Sequence, residues 1–397
     1  MSFPGEGINV LHQSIGTADI ATRTRKIVIL SSHVFLPGYR KASVHFVAQG
    51  WAREGHEVRF LTIGHSWLTW AKDKPRFRAL SAQQGNRFEM VGPNLYAGAY
   101  IPPLHAFSSG NGMINRLNNH AFQWYGSHLP SFASEAVADA DLIVIESGSA
   151  LCFFNLARRL NPGARLLYFC RDLLRSVGAS PALEAIEAQA VPRFDSICVP
   201  SRRLGARLPE GGHVHYIPQG VDTTLFDRTY LSPYPHGTRN AVSVGDMLFD
   251  EARVAEMARG VPDVHFHLFG TPWRGPALGN VMVYGERDFE TIVPYIVHAD
   301  VGLAPYRIGA GELYLSESSL KLPQYSYCRL PVLLPDLIPF TGGNAVTYSL
   351  DRPNDWRAIF DRALALPHSE AFRNGILTWH DVARLTLDAA FAQDTGA

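Results

Sequence analysis

No run in this 397-residue sequence approaches the roughly 20 consecutive apolar residues that a membrane-spanning helix needs. An excess of one charge is missing too, since 36 Lys and Arg stand against 36 Asp and Glu. That balance argues against a protein that coats nucleic acid by bulk electrostatics, so no nucleic-acid partner is expected. Cysteine is scarce: Cys152, Cys170, Cys198 and Cys328 lie far apart in apolar or aromatic surroundings. No C-x-x-C pair or Cys/His cluster has metal spacing, so no metal is expected, and buried thiols suit a reducing, cytoplasmic location. Residues 1–24 are polar, with no apolar core ahead of a cleavage site; a flexible N-terminus without a signal peptide is expected there. What remains is a globular composition, 46% apolar and 18% charged, and a length that suits two domains, each burying its own core.

The texture along the chain is α/β. Lys26-Ile-Val-Ile-Leu reads as a strand, a helix follows from about Val44 to Arg53, Gly55 stops it, and Glu57–Ile63 reads as the next strand. Apolar runs at 141–146, 165–169 and 196–200 continue the series, separated by helical stretches, and continuous apolar strands suit a parallel sheet. After a Pro/Gly-rich stretch at 232–237, a second series starts, with runs at 241–245, 264–269, 281–284, 301–304 and 331–334. The expectation is two doubly wound domains, at 25–222 and 241–373, joined by a linker at 223–240. The ligand crevice belongs at the carboxyl ends of the strands, between the domains. Residues 374–397 read as a helix that crosses back onto the first domain.

Several residue groups could carry chemistry. Ser318 and Ser319 suit the start of a helix, where free backbone N–H groups favour an anion, and Lys321 and Gln324 would share one face of it. An ordinary capped helix with a solvated lysine fits the same spacing. Pro323 weakens the helix, since proline fits mainly in a first turn. Met247 lies in a glycine-led turn after a strand, while Glu286 and Tyr306 follow apolar strands and could meet a ribose or a base; each also reads as a plain turn residue. Asp172, just after a first-domain strand, is placed to take a proton from a hydroxyl, or else caps a helix. Arg171 beside it could lower its pKa and weaken it as a base, or could bind substrate. His33 ends a strand and could serve as a base, touch an acceptor or be structural. Asp139-Ala-Asp141 has the look of a metal motif but precedes a strand, and is discounted. Finally, Trp67, Leu68, Trp70 and Phe77 interleave with Lys72, Lys74, Arg76 and Arg78, a mixture that suits an anionic bilayer surface or a solvated loop.

The succession Leu-Ser-Ser-His at 30–33, Ile145-Glu-Ser-Gly148, Gly-Asp-Met-Leu-Phe-Asp at 245–250, Val283-Tyr-Gly-Glu286, Ala304-Pro-Tyr306 and Ser318-Ser-Leu-Lys-x-x-Gln-Tyr325 resembles the GumK family of glucuronosyltransferases. The resemblance runs from about residue 26 to about residue 340 and keeps the spacing from Glu286 through Tyr306 to Gln324. It implies a GT-B fold and an inverting, metal-independent transfer from a UDP-sugar, preferably UDP-glucuronate. The acceptor it implies is a polyprenyl-diphosphate-linked oligosaccharide of bacterial exopolysaccharide synthesis, met by a protein attached peripherally to the anionic cytoplasmic face of the inner membrane. By the family's pattern the first domain meets the acceptor and carries Asp172 as the catalytic base, and the second holds the nucleotide sugar, which Met247, Glu286, Tyr306, Ser319, Lys321 and Gln324 bind or orient. The helix end at Ser318 and Ser319 is expected to help stabilise the departing diphosphate. The apolar-basic segment at 65–78 falls where that family meets the membrane.

Three positions depart from the family's pattern. Phe169-Cys-Arg171 precedes Asp172 in place of smaller polar residues, Asp246 replaces a serine near the expected donor phosphates, and Pro323 separates Lys321 from Gln324. Two other classes remain open, a GT-B UDP-sugar 2-epimerase and a catalytically silent binder of sugar nucleotide or lipid-linked oligosaccharide. The basic-aromatic segment argues against the first, and the joint presence of Asp172, Lys321 and Gln324 against the second.

Overall fold

The computed structural model describes residues 23–392 apart from 38, 40, 110–111, 310–312 and 341. The flexible N-terminus expected at 1–24 therefore lies outside the described residues save for its last two, and so do residues 393–397 of the expected C-terminal helix.

Two sheets carry the molecule. The first contains β1 (Lys26–Ser31), β2 (Glu57–Thr62), β3 (Phe88–Gly92), β4 (Leu95–Ala99), β5 (Leu142–Glu146), β6 (Arg165–Phe169), β7 (Ser196–Val199) and β8 (Val214–Tyr216), in the order β3-β4-β2-β1-β5-β6-β7-β8. All neighbours are parallel except β3 and β4. The short β9 (Gly220–Val221) leaves this sheet, and β10 (Arg239–Val244) opens the second with β11 (Val264–Phe269), β12 (Val281–Gly285), β13 (Val301–Leu303), β14 (Val332–Pro335) and β15 (Ala345–Tyr348). These six run parallel in the order β12-β11-β10-β13-β14-β15.

The central strands are apolar on both faces because helices cover both. Ile27 and Ile29 of β1 face one helical layer while Val28 and Leu30 face the other, and none of the four is more than 1% exposed. The chain's end completes the outer layer of the first domain. The helix Trp379–Phe391 packs beside Ser43–Arg53, where Trp51 Nε1 donates to the Ala383 carbonyl at 2.7 Å and Phe46 stacks on Trp379. It arrives there through β16 (Leu377–Thr378), which pairs with β9. The chain thus passes between the domains twice, side by side. The 223–240 segment packs on the second sheet: Tyr234 Oη donates to the Tyr295 carbonyl at 2.7 Å, and the Tyr230 carbonyl meets His298 Nε2 at 2.8 Å.

The two topologies place their switch points in equivalent positions. In the first sheet the winding reverses between β1 and β5, and in the second between β10 and β13. At such a reversal the connections at the carboxyl ends diverge and leave a crevice, the place where open α/β sheets take ligands. Asp139 and Asp141 lie at the opposite edge, ahead of β5. Lys26 Nζ is paired with Asp139 at 2.6 Å, and its backbone N–H donates to Asp141 at 2.8 Å, so both acids serve as strand fasteners.

Candidate active site at the two switch points

The first switch point gathers four ionisable side chains. Glu146 closes β5 and is only 3% exposed; Ser31 Oγ, at the end of β1, donates to its Oε2. His33 follows β1, its N–H donating to Ser31 Oγ at 2.9 Å and its Nε2 lying 3.6 Å from Glu146 Oε1. Arg171 and Asp172 follow β6, in register beside β5. The Arg171 N–H donates to Ser147 Oγ at 3.1 Å, and its guanidinium lies 3.7 Å from the centre of the Phe169 ring. Burial raises the Glu146 pKa, opposed by His33, Ser31 and Arg171; burial also raises that of Asp172, opposed by Arg171 and His33. Asp172 is partly exposed and can reach a ligand, whereas Glu146 is enclosed. Sequence reasoning placed His33, Arg171 and Asp172 here and passed over Glu146, whose signal was a carboxylate ending an otherwise apolar strand.

The second switch point is built around one buried cation. Gly245 leaves β10 with φ +83, which a residue with a Cβ rarely adopts, and turns the chain into the 245–250 loop. That loop is fastened to the chain after β13: the Asp250 N–H donates to the Pro305 carbonyl, the Arg307 N–H to the Leu248 carbonyl, and Phe249 bridges to Tyr306. Asp250 also caps the helix Glu251–Gly260 through the Arg253 N–H. Met247 stands exposed on this loop.

Lys321 opens the helix Lys321–Tyr327 and is 7% exposed. Its Nζ is 3.5 Å from the Gly245 carbonyl and 5.1 Å from the centre of the Tyr306 ring, and its N–H donates to Ser319 Oγ at 3.2 Å. Ser319 Oγ in turn meets Tyr306 Oη at 2.5 Å. Burial pulls the Lys321 pKa down to about 8, with Asp246 holding it up. Asp246, which stands where the family's pattern has a serine, is therefore near enough for its charge to favour the ammonium, without forming an ion pair with it. The helix is seated by Tyr325, which lies flat over Gly302 of β13; a Cβ there would come within 2.6 Å of the ring.

Two expectations about this helix change. Ser318 and Ser319 do not begin it: they form the turn between Leu313–Glu317 and Lys321–Tyr327, because Ser318 still bonds back to the Tyr314 carbonyl. Pro323 falls at the third helical position, where no intrahelical N–H bond would exist, so it costs the helix nothing. Gln324 lies one turn from Lys321. Glu286, just past β12, is exposed, its carbonyl accepting from Arg287.

The two halves touch beside the second switch point. Arg203 Nε donates to Glu317 Oε1 at 2.7 Å, Ser201 Oγ donates to Glu317 Oε2, and Gln219 Nε2 donates to the Ser318 carbonyl at 3.3 Å.

The basic-aromatic segment is helical, folded as Trp67–Lys72 and Lys74–Gln84, with Asp73 capping the second helix through the Arg76 N–H. Trp67 is 68% exposed; Trp70 is exposed with Lys74 Nζ 4.7 Å over its ring, and Arg78 is exposed, whereas Leu68, Arg76 and Phe77 are half-buried. Lys72 ends the first helix. The loop and helix that follow are tied to this region, His105 Nδ1 to Ser66 Oγ and the Gly64 N–H to Tyr125 Oη, and they add exposed Leu104 and Trp124 to it.

Comparison with known structures places this architecture. A UDP-forming α,α-trehalose-phosphate synthase from Burkholderia xenovorans superposes with a TM-score of 0.62 over 93% of this chain and 100% of its own, at 13% identity. Sucrose-phosphate synthase from Thermosynechococcus elongatus gives 0.58 over 92% and 95%, at 15% identity. The fold is GT-B, and the chain is a glycosyltransferase. Its sequence narrows the class. Residues 29–200 match the model of the glucuronosyltransferase GumK N-terminal domain, and the UDP-glucuronate:glycolipid 2-beta-glucuronosyltransferase of Xanthomonas campestris pv. campestris is 31% identical over 360 residues, 85% of this chain and 88% of that one. The chain belongs to the GumK glucuronosyltransferase family.

Proposed function

We propose that the protein transfers glucuronic acid from UDP-glucuronate to a sugar hydroxyl of a polyprenyl-diphosphate-linked oligosaccharide, with inversion and without a metal, in bacterial exopolysaccharide synthesis. The observation that carries the substrates is the relative at 31% identity, whose name states UDP-glucuronate and a glycolipid. The site supports the division of labour. Asp172 at the first switch point takes the proton of the acceptor hydroxyl as it attacks the anomeric carbon. Lys321, with Ser319 and the N–H groups opening its helix, meets the diphosphate and stabilises UDP as it leaves. Tyr306, Met247, Glu286, Ser318 and Gln324 orient the rest of the donor, and His33 touches the acceptor.

A buried ammonium whose nearest neutral partner is a carbonyl is poorly compensated, and a diphosphate supplies the charge it lacks. The lipid-linked acceptor calls for a surface that meets a bilayer without crossing it. Among the described residues no helix is long and apolar enough to cross, and Trp67, Trp70, Leu104 and Trp124 beside Lys74 and Arg78 suit peripheral attachment to an anionic cytoplasmic leaflet.

The test is transfer of label from UDP-glucuronate, UDP-glucose or UDP-galactose into lipid extracted from exopolysaccharide-producing bacteria, with and without EDTA. Incorporation from UDP-glucuronate alone, undiminished by EDTA, is expected. Dependence on added Mg²⁺, or incorporation from another donor instead, overturns the corresponding part of the proposal.

A further inference from the structure

Arg171 poses a problem that the transfer mechanism leaves untouched. The residue is 6% exposed, and none of its three guanidinium nitrogens makes a hydrogen bond among the described residues. A guanidinium cannot escape the cost of burial by giving up its proton, because burial brings its pKa down only to about 10. Stacking on Phe169 returns part of the lost solvation, and its N–H bond to Ser147 fixes the backbone. The charge itself still needs an anion nearby.

Two carboxylates act on it through their charge without pairing with it directly, Glu146 and the adjacent Asp172, and the thiols of Cys170 and Cys198 lie in the same surroundings. The thiols are buried and neutral, with pKa values pushed up by burial. Glu146 is enclosed, and its negative charge would lie close to that of Asp172 in a medium of low polarity. Asp172, partly open to solvent, is the carboxylate that ionises at lower cost. His33, whose side chain is 48% exposed, also lies near Asp172.

We propose that Arg171 is a positioning residue for the transfer: from its place on the Phe169 ring it keeps the Asp172 carboxylate ionised and therefore available as a base. The arginine acts through the field and makes no contact with substrate. This rests on the reading of Asp172 as the base and adds what sustains that base in a partly buried site.

The test uses the full chain labelled with ¹³C at aspartate carboxyls, the Asp172 signal being identified by its loss in Asp172→Asn. Its titration is followed by NMR in the wild type, Arg171→Met, Arg171→Gln and Arg171→Lys, with UDP binding as the check that each variant is folded. Both neutral variants are expected to move the Asp172 midpoint up by about one unit, and Arg171→Lys to return most of that shift. In the transfer assay the acid limb of kcat/KM should move with it, a loss of roughly tenfold on the acid side that fades as pH rises. A midpoint unchanged in the folded neutral variants overturns the role of Arg171 and leaves the base reading intact. Retention of full transfer by Asp172→Asn overturns the base reading, whatever the midpoints do.

Discussion

The two switch points solve the same topological problem with opposite chemistry. At the first, two carboxylates gather around one buried arginine and a half-exposed histidine. At the second, one buried lysine stands among hydroxyls, a carbonyl and an aromatic face, with a single carboxylate, Asp246, beside it. Burial acts on both in the same sense, disfavouring charge, yet the consequences differ. A carboxyl whose pKa is raised becomes a better proton acceptor near neutral pH, whereas an ammonium whose pKa is lowered becomes dependent on an incoming anion. In the proposed reaction the first edge removes a proton and the second receives a diphosphate.

The largest effect that could break this contrast comes from Asp172→Asn. It should lower kcat by about a thousandfold, within the usual range for loss of a general base, while UDP binding by calorimetry stays as in the wild type. Loss of UDP binding in that variant would erase the distinction between the two edges. Next in size is Lys321→Met, for which steady-state kinetics should show kcat/KM down roughly a hundredfold and weakened UDP binding.

The contrast was only partly legible in the sequence. The central strands were plain because parallel strands buried on both faces read as continuous apolar runs, and Val28, Val144 and Val242 fall in such runs. The hairpin of β3 and β4 escaped notice because β3 is an edge strand whose middle residues are exposed, so no alternation marks it. The helices at 67–84 were hidden by their own composition, since exposed tryptophans among lysines and arginines give no clear apolar stripe. In the site, Tyr306, Ser319 and Lys321 were found through family spacing. The seating of Lys321 against the Gly245 carbonyl and the support from Asp246 depend on a turn that begins 76 residues earlier in the chain. Glu146 and the burial of Arg171 depend on neighbouring strands that no local pattern announces.

A smaller effect sharpens the account of the second edge. The folded Lys321 pKa, about 8, lies below the value of 10.5 for an unperturbed lysine, so the folded protein binds fewer protons than the unfolded chain between those pH values. The cost of the buried ammonium is fully present below pH 8, and stability should rise as pH rises through that window. A diphosphate restores the charge. UDP binding at about pH 8.5 should therefore take up a proton fraction, measured by calorimetry in buffers of different ionisation enthalpy, and Lys321→Met should abolish the uptake.

The smallest expected effect belongs to Asp246. Replacing it with serine removes a negative charge from the neighbourhood of the donor phosphates, and the donor KM should fall by roughly threefold at neutral pH. It also removes the group that holds up the Lys321 pKa, so the advantage should shrink or reverse above pH 8. A rise in KM at neutral pH would mean that Asp246 supports the donor more through the lysine than it repels it.

The most direct measurement is the configuration of the product's anomeric centre when it first appears, followed by ¹H NMR during transfer from UDP-glucuronate to the lipid-linked acceptor. A base at one edge and a diphosphate held at the other imply attack from the face opposite UDP, so the account predicts inversion, the α-linked donor giving a β-linked product. A product that first appears with the α configuration would contradict that attack and Asp172's part in it.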